Sequence, residues 1–216
     1  MDILWEATGM DIERESMRRI EAEAPAEARA RFSPAEWLIA RRLVHTTADF
    51  SILNALEFRH DPIVAGLAAL RRGAQIYADS NMIKSGISVA KLQKLNAEYT
   101  RESILAPLAD TAVAAYAEAH GITRALAAVT LHAPALNGAI FLCGNAPLAL
   151  AGMTRLALEQ NIRPALVIAM PVGFVNVVES KEYAKSLELP LIILNGRRGG
   201  SPLAVATLHG LLEGVL

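Results

Sequence analysis

The sequence predicts an α/β protein in which helices cover both faces of a parallel sheet. Its second half alternates strands with helices, and the strands at 138–143, 165–169 and 191–194 are apolar throughout. Continuous apolar runs of this length are typical of parallel strands that are buried on both faces. The composition agrees, because 53% of the 216 residues are hydrophobic while only 5% are aromatic. Small aliphatic side chains of this kind suit helices that pack on a sheet.

The N-terminal part is predicted to be helical. The segment 11–24 is charged and carries apolar residues at roughly helical spacing. A second helix begins after Ser33, with Pro34 at its first position and Glu36 three residues after the cap, and it reaches about His45.

The remaining helices and strands are predicted from the same capping residues and apolar periodicity. We predict one domain over 1–216, with the N-terminal helices packed on the sheet, because no repeat or linker interrupts the pattern. The remaining elements are a strand at 75–78 and helices at 61–72, 110–120, 123–132 and 147–160, one opening at Asn176, and one from 201 with Ser201 as its cap.

Charge and cysteine content narrow the class of protein. The net charge of −1 argues against a general nucleic-acid or anionic-membrane binder. No secretory signal is expected at the start of the chain, and polar residues, Gly and Pro interrupt the most apolar region, 125–153, so no membrane span is expected there. A single cysteine, Cys143, points to a reducing compartment, and we expect a cytoplasmic protein.

Polar or glycine-rich segments follow four predicted strands. They are 79–86, 144–147, 170–182 and 195–201. The carboxyl ends of parallel strands lie at one edge of a sheet, so these segments are predicted to form one ligand-binding edge. Helix N-termini there offer free N–H groups, and Lys84, Arg197 and Arg198 add positive charge, which favours an anionic ligand. Each segment taken alone is better explained as an ordinary turn, and it is the presence of four at one edge that favours a binding cleft.

Common nucleotide and metal motifs are missing from the sequence. The glycine-rich run 196–201 lacks the Lys-Ser/Thr of a P-loop, and no G-x-G-x-x-G follows a strand. No metal-ligand spacing is found, so no metal or cofactor is expected.

His45 is the histidine that stands out. It ends a predicted helix, with Arg42 one turn before it and Thr46 and Thr47 after it. The alternative is a histidine that merely stabilises the C-terminus of its helix through the dipole, and this explains His60 and His120 well. His132 and His209 are expected to be ordinary helix residues.

Eight short motifs carry the most specific information in the chain. They are 12–16 (IERES), 32–34 (FSP), 44–47 (VHTT), 79–82 (DSNM), 121–124 (GITR), 144–147 (GNAP), 170–181 and 196–202. In this order they resemble the precorrin-8X methylmutase family, which includes the cobalt-precorrin-8 methylmutases of anaerobic cobalamin synthesis. The similarity runs from about Ile12 to Leu212.

The resemblance implies an isomerase that moves a methyl group from C-11 to C-12 of the corrin precursor, giving hydrogenobyrinate, or cobyrinate when cobalt is present. It also implies a flavodoxin-like fold, a homodimer and a substrate rich in carboxylates. His45 matches the family histidine that protonates, or hydrogen-bonds to, a ring nitrogen. Ser16, Arg42 and Arg124 match positions that line the substrate pocket. Further candidate substrate contacts lie in matched motifs at Asp79, Met82, Lys84, Asn145 and Arg197.

Two departures and three hypotheses complete the prediction. Ala125 stands where the family usually has Ser, and we expect altered binding there; the segment 98–110 matches the family poorly.

In the loop 170–182, Asn176, Ser180 and Lys181 are candidates for contact with the substrate or a partner subunit. The hypotheses are the methylmutase, a non-catalytic corrinoid carrier on the same fold, and an unrelated α/β enzyme acting on a phosphorylated metabolite.

Overall fold

A six-stranded sheet with helices on both faces organises the computed structural model, which describes residues 5 and 7–215. The strands lie in the order β1-β6-β5-β4-β2-β3. Only β1 is antiparallel to its neighbour; the other five strands run parallel, in the flavodoxin-like order that the resemblance implies. The strands are β1 (Leu56–Arg59), β2 (Ile76–Ala78), β3 (Ile104–Leu105), β4 (Ile140–Cys143), β5 (Leu166–Ala169) and β6 (Leu191–Leu194).

The helices form two layers, one on each face of the sheet. One layer holds α1, α3, α4, α5, α6 and α11, and the other holds α8, α9 and α10, with α7 packed outside α8. The α-helices are α1 (Gly9–Glu23), α2 (Ala26–Arg29), α3 (Pro34–Thr47), α4 (Pro62–Arg71), α5 (Asn81–Gly86), α6 (Val89–Gln93), α7 (Thr111–His120), α8 (Arg124–Leu131), α9 (Pro147–Gln160), α10 (Val177–Ala184) and α11 (Ser201–Glu213).

Successive side chains of the central strands point alternately into two hydrophobic cores, one on each face of the sheet. Ile140 and Leu142 belong to the core under α3 and α11, while Phe141 and Cys143 belong to the core under α9. All four side chains are fully buried. The apolar runs that predicted parallel strands are therefore buried on both faces, and the predicted three-layer α/β/α sandwich is confirmed.

Two strands, the short helices α2, α5 and α6, and one helix cap differ from the prediction. The strands β1 and β3 were not predicted; β1 lies at the sheet edge and β3 has only two residues, inside the poorly matching segment 98–110. The last helix was expected to be capped by Ser201, but Ser201 is its first residue and Gly200, with φ of 128°, is the cap. No helix in the described part of the chain is long and apolar enough to cross a membrane.

The close packing of α3 on α11 places the end of α3 at the ligand-binding edge. Gly210 makes this possible, because a Cβ there would lie 2.8 Å from the Cα of Ile39. The two helices run antiparallel, so Thr46 near the end of α3 lies beside Ser201 and Pro202 at the start of α11. His45, the preceding residue, therefore lies close to the carboxyl ends of the strands.

Candidate active site

His45 is held by a side chain from another helix. The hydroxyl of Ser16 on α1 lies 2.8 Å from Nδ1 of His45 on α3. Both residues are partly buried, and His45 occupies the last turn of its helix, as predicted. This contact fixes the plane of the imidazole and leaves Nε2 as the ring nitrogen that can serve a ligand. The structure thus brings together two residues, 29 positions apart, that were both predicted to belong to the site.

A cavity of about 560 Å³ opens in front of this pair. Its polar lining includes Glu15 and Arg19 besides Ser16 and His45. Hydrogen bonds from Arg18, which has the larger effect, and from Arg19 lower the pKa of Glu15 to about 2. Glu15 is therefore charged, and the two arginines balance its charge. A volume of this size is in the range of small-molecule binding sites.

Arg42 is brought to the same region but is already paired. Its guanidinium donates to Glu13 of α1 and to Glu213 of α11, and its side chain is only 13% exposed. The hydrogen bond from Arg42 lowers the pKa of Glu13. Arg42 therefore fastens α1 and α11 to α3 beside His45, and an anionic ligand must compete with two carboxylates to reach it.

The four predicted loops do converge at one edge. The hydroxyl groups of Ser80, after β2, and Ser201, after β6, lie 3.0 Å apart. A Cβ on Gly144, after β4, would lie 2.7 Å from the Cα of Ser201. The backbone N–H of Gly200 donates to the carbonyl of Met170, after β5, at 2.7 Å. The loops after β2, β4, β5 and β6 are thus in direct contact.

Asp79 ties two of these loops together, and our expectation for it needs correction. Its Oδ2 accepts hydrogen bonds from the backbone N–H groups of Gly144, Asn145 and Ala146, at 3.2, 2.8 and 2.6 Å, and from the thiol of Cys143. Burial raises the pKa of Asp79, and the three N–H groups oppose that shift. Only 3% of Asp79 is exposed, so it supports the loop before α9 and does not contact a ligand directly.

Lys181 and Ser180 are also structural, contrary to the prediction. The Nζ of Lys181 donates to the carbonyls of Gly196 and Arg198, at 2.8 Å each, and the residue is fully buried. Burial lowers the pKa of Lys181 to about 8. Ser180 is 2% exposed and donates to the carbonyl of Val177. Neither side chain can reach a ligand or a partner subunit, and Lys181 instead fixes the loop that carries Arg197.

The loop after β6 presents two arginines in different ways. Arg197 is exposed, and its guanidinium carbon lies 5.3 Å from the centre of the Phe174 ring. Arg198 pairs with Asp49 and donates to the hydroxyl of Ser51, in the turn that follows α3. Arg198 therefore connects the edge of the sheet to the chain next to His45, and Arg197 is the arginine available to a ligand.

The other predicted site residues differ in their exposure and in whether they lie near His45. Met82 is 66% exposed and lies with Arg42 and Thr46 in a groove of about 350 Å³ between α3, α5 and α11. Asn145 is exposed at the sheet edge, and Lys84 is half-buried on α5. Arg124 is exposed at the start of α8, in the opposite helix layer from His45, so one chain does not bring the two together. Ala125 packs against the core of that opposite layer.

Sequence reasoning missed His209, which lines the same groove as Arg42 and Met82. It was interpreted as an ordinary helix residue. A signal was present, because Pro202, Ala206 and His209 recur at helical spacing and so share one face of α11. Within residues 5 and 7–215, no three His, Cys, Asp or Glu side chains lie together in a way that could hold a metal ion.

Comparison with known proteins points to one family. A family model described as CbiC, precorrin-8X methylmutase, matches residues 11–214. A curated protein named cobalt-precorrin-8 methylmutase, from Leptospira interrogans, is 35% identical over 94% of this chain and 93% of its own length. One named precorrin-8X methylmutase, from a Sinorhizobium species, is 34% identical over 94% of this chain and 93% of its own length.

A solved structure agrees with this likeness. The crystal structure of a precorrin-8X methylmutase from Thermus thermophilus superposes with a TM-score of 0.83 and 41% sequence identity. The match covers 95% of this chain and 95% of that one.

Proposed function

This chain belongs to the precorrin-8X methylmutase family and is an isomerase of corrin ring biosynthesis, and we propose that His45 is its catalytic acid. In the reaction a methyl group moves from C-11 to C-12 of the tetrapyrrole substrate by a 1,5-sigmatropic shift. The observation that carries the proposal is His45 itself, with Nδ1 held by Ser16 at 2.8 Å beside a cavity of about 560 Å³.

The chemistry explains why so few groups are needed. The methyl shift changes no oxidation state and requires no nucleophile. It requires an acid that protonates, or hydrogen-bonds to, a ring nitrogen beside the migrating carbon, and a pocket that holds the macrocycle in the reactive geometry. Nε2 of His45 donates to that nitrogen, while Ser16 keeps the ring oriented and supports its positive charge through Nδ1.

The charged edge of the sheet suits the rim of this substrate. Arg197 is exposed there, and its guanidinium can bind a carboxylate through charge-assisted hydrogen bonds. Met82, Lys84 and Asn145 are proposed to complete the contacts from the other strand-end segments. The single domain 1–216 and a cytoplasmic location, which the lone buried Cys143 suits, belong to the same proposal.

A label on the migrating carbon tests the reaction. Precorrin-8 carrying ¹³C in its C-11 methyl group should yield a product whose label lies on C-12, as read by NMR. The cobalt form is tested in parallel, because relatives with either name match at 34–35% identity. Label that stays on C-11 with both substrates would contradict the proposed activity.

Replacing Ser16 with alanine should lower kcat by roughly tenfold or more. The substitution removes the hydroxyl that orients His45, and a hydrogen bond to a charged group contributes about 1.5–3 kcal/mol. Steady-state kinetics with the faster of the two substrates measures the change. Ser85→Ala is the matched control, since Ser85 is an exposed serine on α5. Equal kcat values for the two variants would show that Ser16 does not position the acid.

We also propose that two chains associate through the surface formed by Val172, Phe174, Val175 and Val178. These apolar residues, in the loop before α10 and its first turn, are 36–82% exposed. Contiguous exposed apolar surface of this kind marks interaction sites. The homodimer that the resemblance implies would bury it.

A charge on this surface should separate the subunits. Val175→Asp is expected to sediment as a monomer at micromolar concentration, because pairing would bury an uncompensated carboxylate. Val64→Asp is the control, since Val64 on α4 is 71% exposed and Val175 is 74% exposed. The proposal requires a dimeric wild type and a dimeric control. A Val175→Asp variant that remains dimeric would exclude this surface.

A further inference from the structure

We propose that His209 is a further substrate-binding residue, whose Nδ1–H donates a hydrogen bond to a peripheral carboxylate of the macrocycle in the groove between α3, α5 and α11. The inference rests on the proposed function, because that function supplies the ligand. None of the eight family motifs contains His209, and the sequence alone predicts an ordinary helix residue there.

The groove places His209 among predicted substrate contacts. Its lining includes Arg42 and Met82, and also Thr46, the residue that follows His45 in the chain. The volume of about 350 Å³ is separate from the cavity in front of His45 but lies on the other side of the same helix end. A macrocycle whose reactive centre meets His45 can extend a side chain into this groove.

One contact fixes which nitrogen of His209 carries the proton. The backbone N–H of Ser88 donates to Nε2 at 3.1 Å. A ring nitrogen that accepts a hydrogen bond carries no proton, so the neutral ring must be protonated on Nδ1. The contacts described for residues 7–215 give Nδ1 no protein partner, and His209 is only partly buried. The chain therefore holds a donor of fixed tautomer with its N–H unused.

The surroundings keep this donor neutral. Burial lowers the pKa of His209 to about 4, and the positive charges of Lys91 on α6 and Arg42 on α3 act in the same direction, while Glu13 on α1 opposes them. The ring thus stays a single-proton donor over the whole range from weakly acidic to alkaline pH. The positive charge of Lys91 also favours an anionic partner, and the neutral N–H of His209 directs a hydrogen bond to that partner.

The two histidines therefore have different roles. The Nδ1 of His45 contacts a hydroxyl, which can accept a hydrogen bond from the N–H of the charged ring, whereas Nε2 of His209 faces a donor and cannot be protonated without losing that contact. The first arrangement suits proton donation and the second suits binding.

A pair of amide substitutions separates binding from a purely structural role. The side-chain amide of asparagine lies at the position of Nδ1, and that of glutamine lies at the position of Nε2. His209→Asn keeps a donor toward the groove and loses the acceptor for Ser88. His209→Gln keeps the acceptor and loses the donor. Dissociation constants for hydrogenobyrinate and cobyrinate are measured by absorbance titration, and Tm by thermal unfolding, with His120→Gln as the control on the exposed end of α7.

We expect His209→Gln to bind the tighter product about tenfold more weakly than wild type, at a Tm close to that of wild type, and His209→Asn to bind more tightly than His209→Gln. Equal affinities for the two variants, or wild-type affinity in His209→Gln, would overturn the proposal. A wild-type chain that binds product but does not move the methyl group would defeat the proposed catalysis and leave this comparison intact.

Discussion

His45→Ala should lose turnover while it retains the coloured product. A positioned general acid contributes about 10²–10⁴-fold to a rate, and the substitution removes the acid without touching the helix N-termini or arginines at the sheet edge. We therefore expect kcat to fall by that factor while the dissociation constant of the product changes by less than about tenfold. Stopped-flow absorbance gives the rate, and titration of the product gives the affinity.

Two comparisons make this result specific. His120→Ala removes a histidine from the end of another helix, where its Nδ1 lies 2.9 Å from the carbonyl of Tyr116, and it should leave kcat unchanged. The second comparison is between the Tm of His45→Ala and that of the wild type. Similar values exclude unfolding as the cause of the lost activity. Full activity of His45→Ala would show that the proton comes from another group.

Gly199→Ala should lower the stability of the protein strongly, because the added methyl group has no room at the edge of the sheet. A Cβ at Gly199 would overlap the carbonyl oxygen of Met170 and lie 2.5 Å from that of Pro171. Both neighbours are backbone atoms, which cannot turn aside as a side chain can. The loops after β5 and β6 must then separate, and overpacking of this kind costs about 3 kcal/mol, which lowers Tm by roughly 6–12 °C in a chain of this length.

A neighbouring glycine provides the matched control. Gly196 lies in the same loop with a φ of 74°, and a Cβ there would meet nothing within 4 Å. Gly196→Ala carries only the strain of a left-handed backbone, about 1 kcal/mol, which lowers Tm by roughly 2–4 °C. Product binding should weaken more in Gly199→Ala, because that variant also displaces Arg197. Equal Tm values for the two variants would contradict the close contact between the loops.

The sequence predicted the four central strands because their signal is local. β2, β4, β5 and β6 are buried on both faces, so their apolar runs stand out from the amphipathic helices around them. The edge strand β1 has only one buried residue, Leu56, and exists through its pairing with β6. A strand formed mainly by a partner far along the chain leaves little trace in its own residues.

The site was predictable in its location but less so in the roles of its residues. Four polar loops on parallel strands had to meet at one edge, and they do. Whether a polar side chain faces the ligand or the backbone depends on tertiary packing, which spacing does not reveal. Asp79 and Lys181 lie in matched motifs, yet the first binds three backbone N–H groups and the second binds two carbonyls. The place of His209 depends on the packing of α11 against α3, α5 and α6, which are contacts between segments far apart in the sequence.

A single-turnover experiment tests the central claim most directly. Wild-type protein in excess is mixed with precorrin-8 or its cobalt form, and the absorbance spectrum is followed to completion. The isomerisation alters the conjugated ring, so the account predicts complete conversion to the spectrum of hydrogenobyrinate or cobyrinate. A substrate that becomes bound but keeps its own spectrum would contradict the account, and it would identify the chain as a corrinoid carrier.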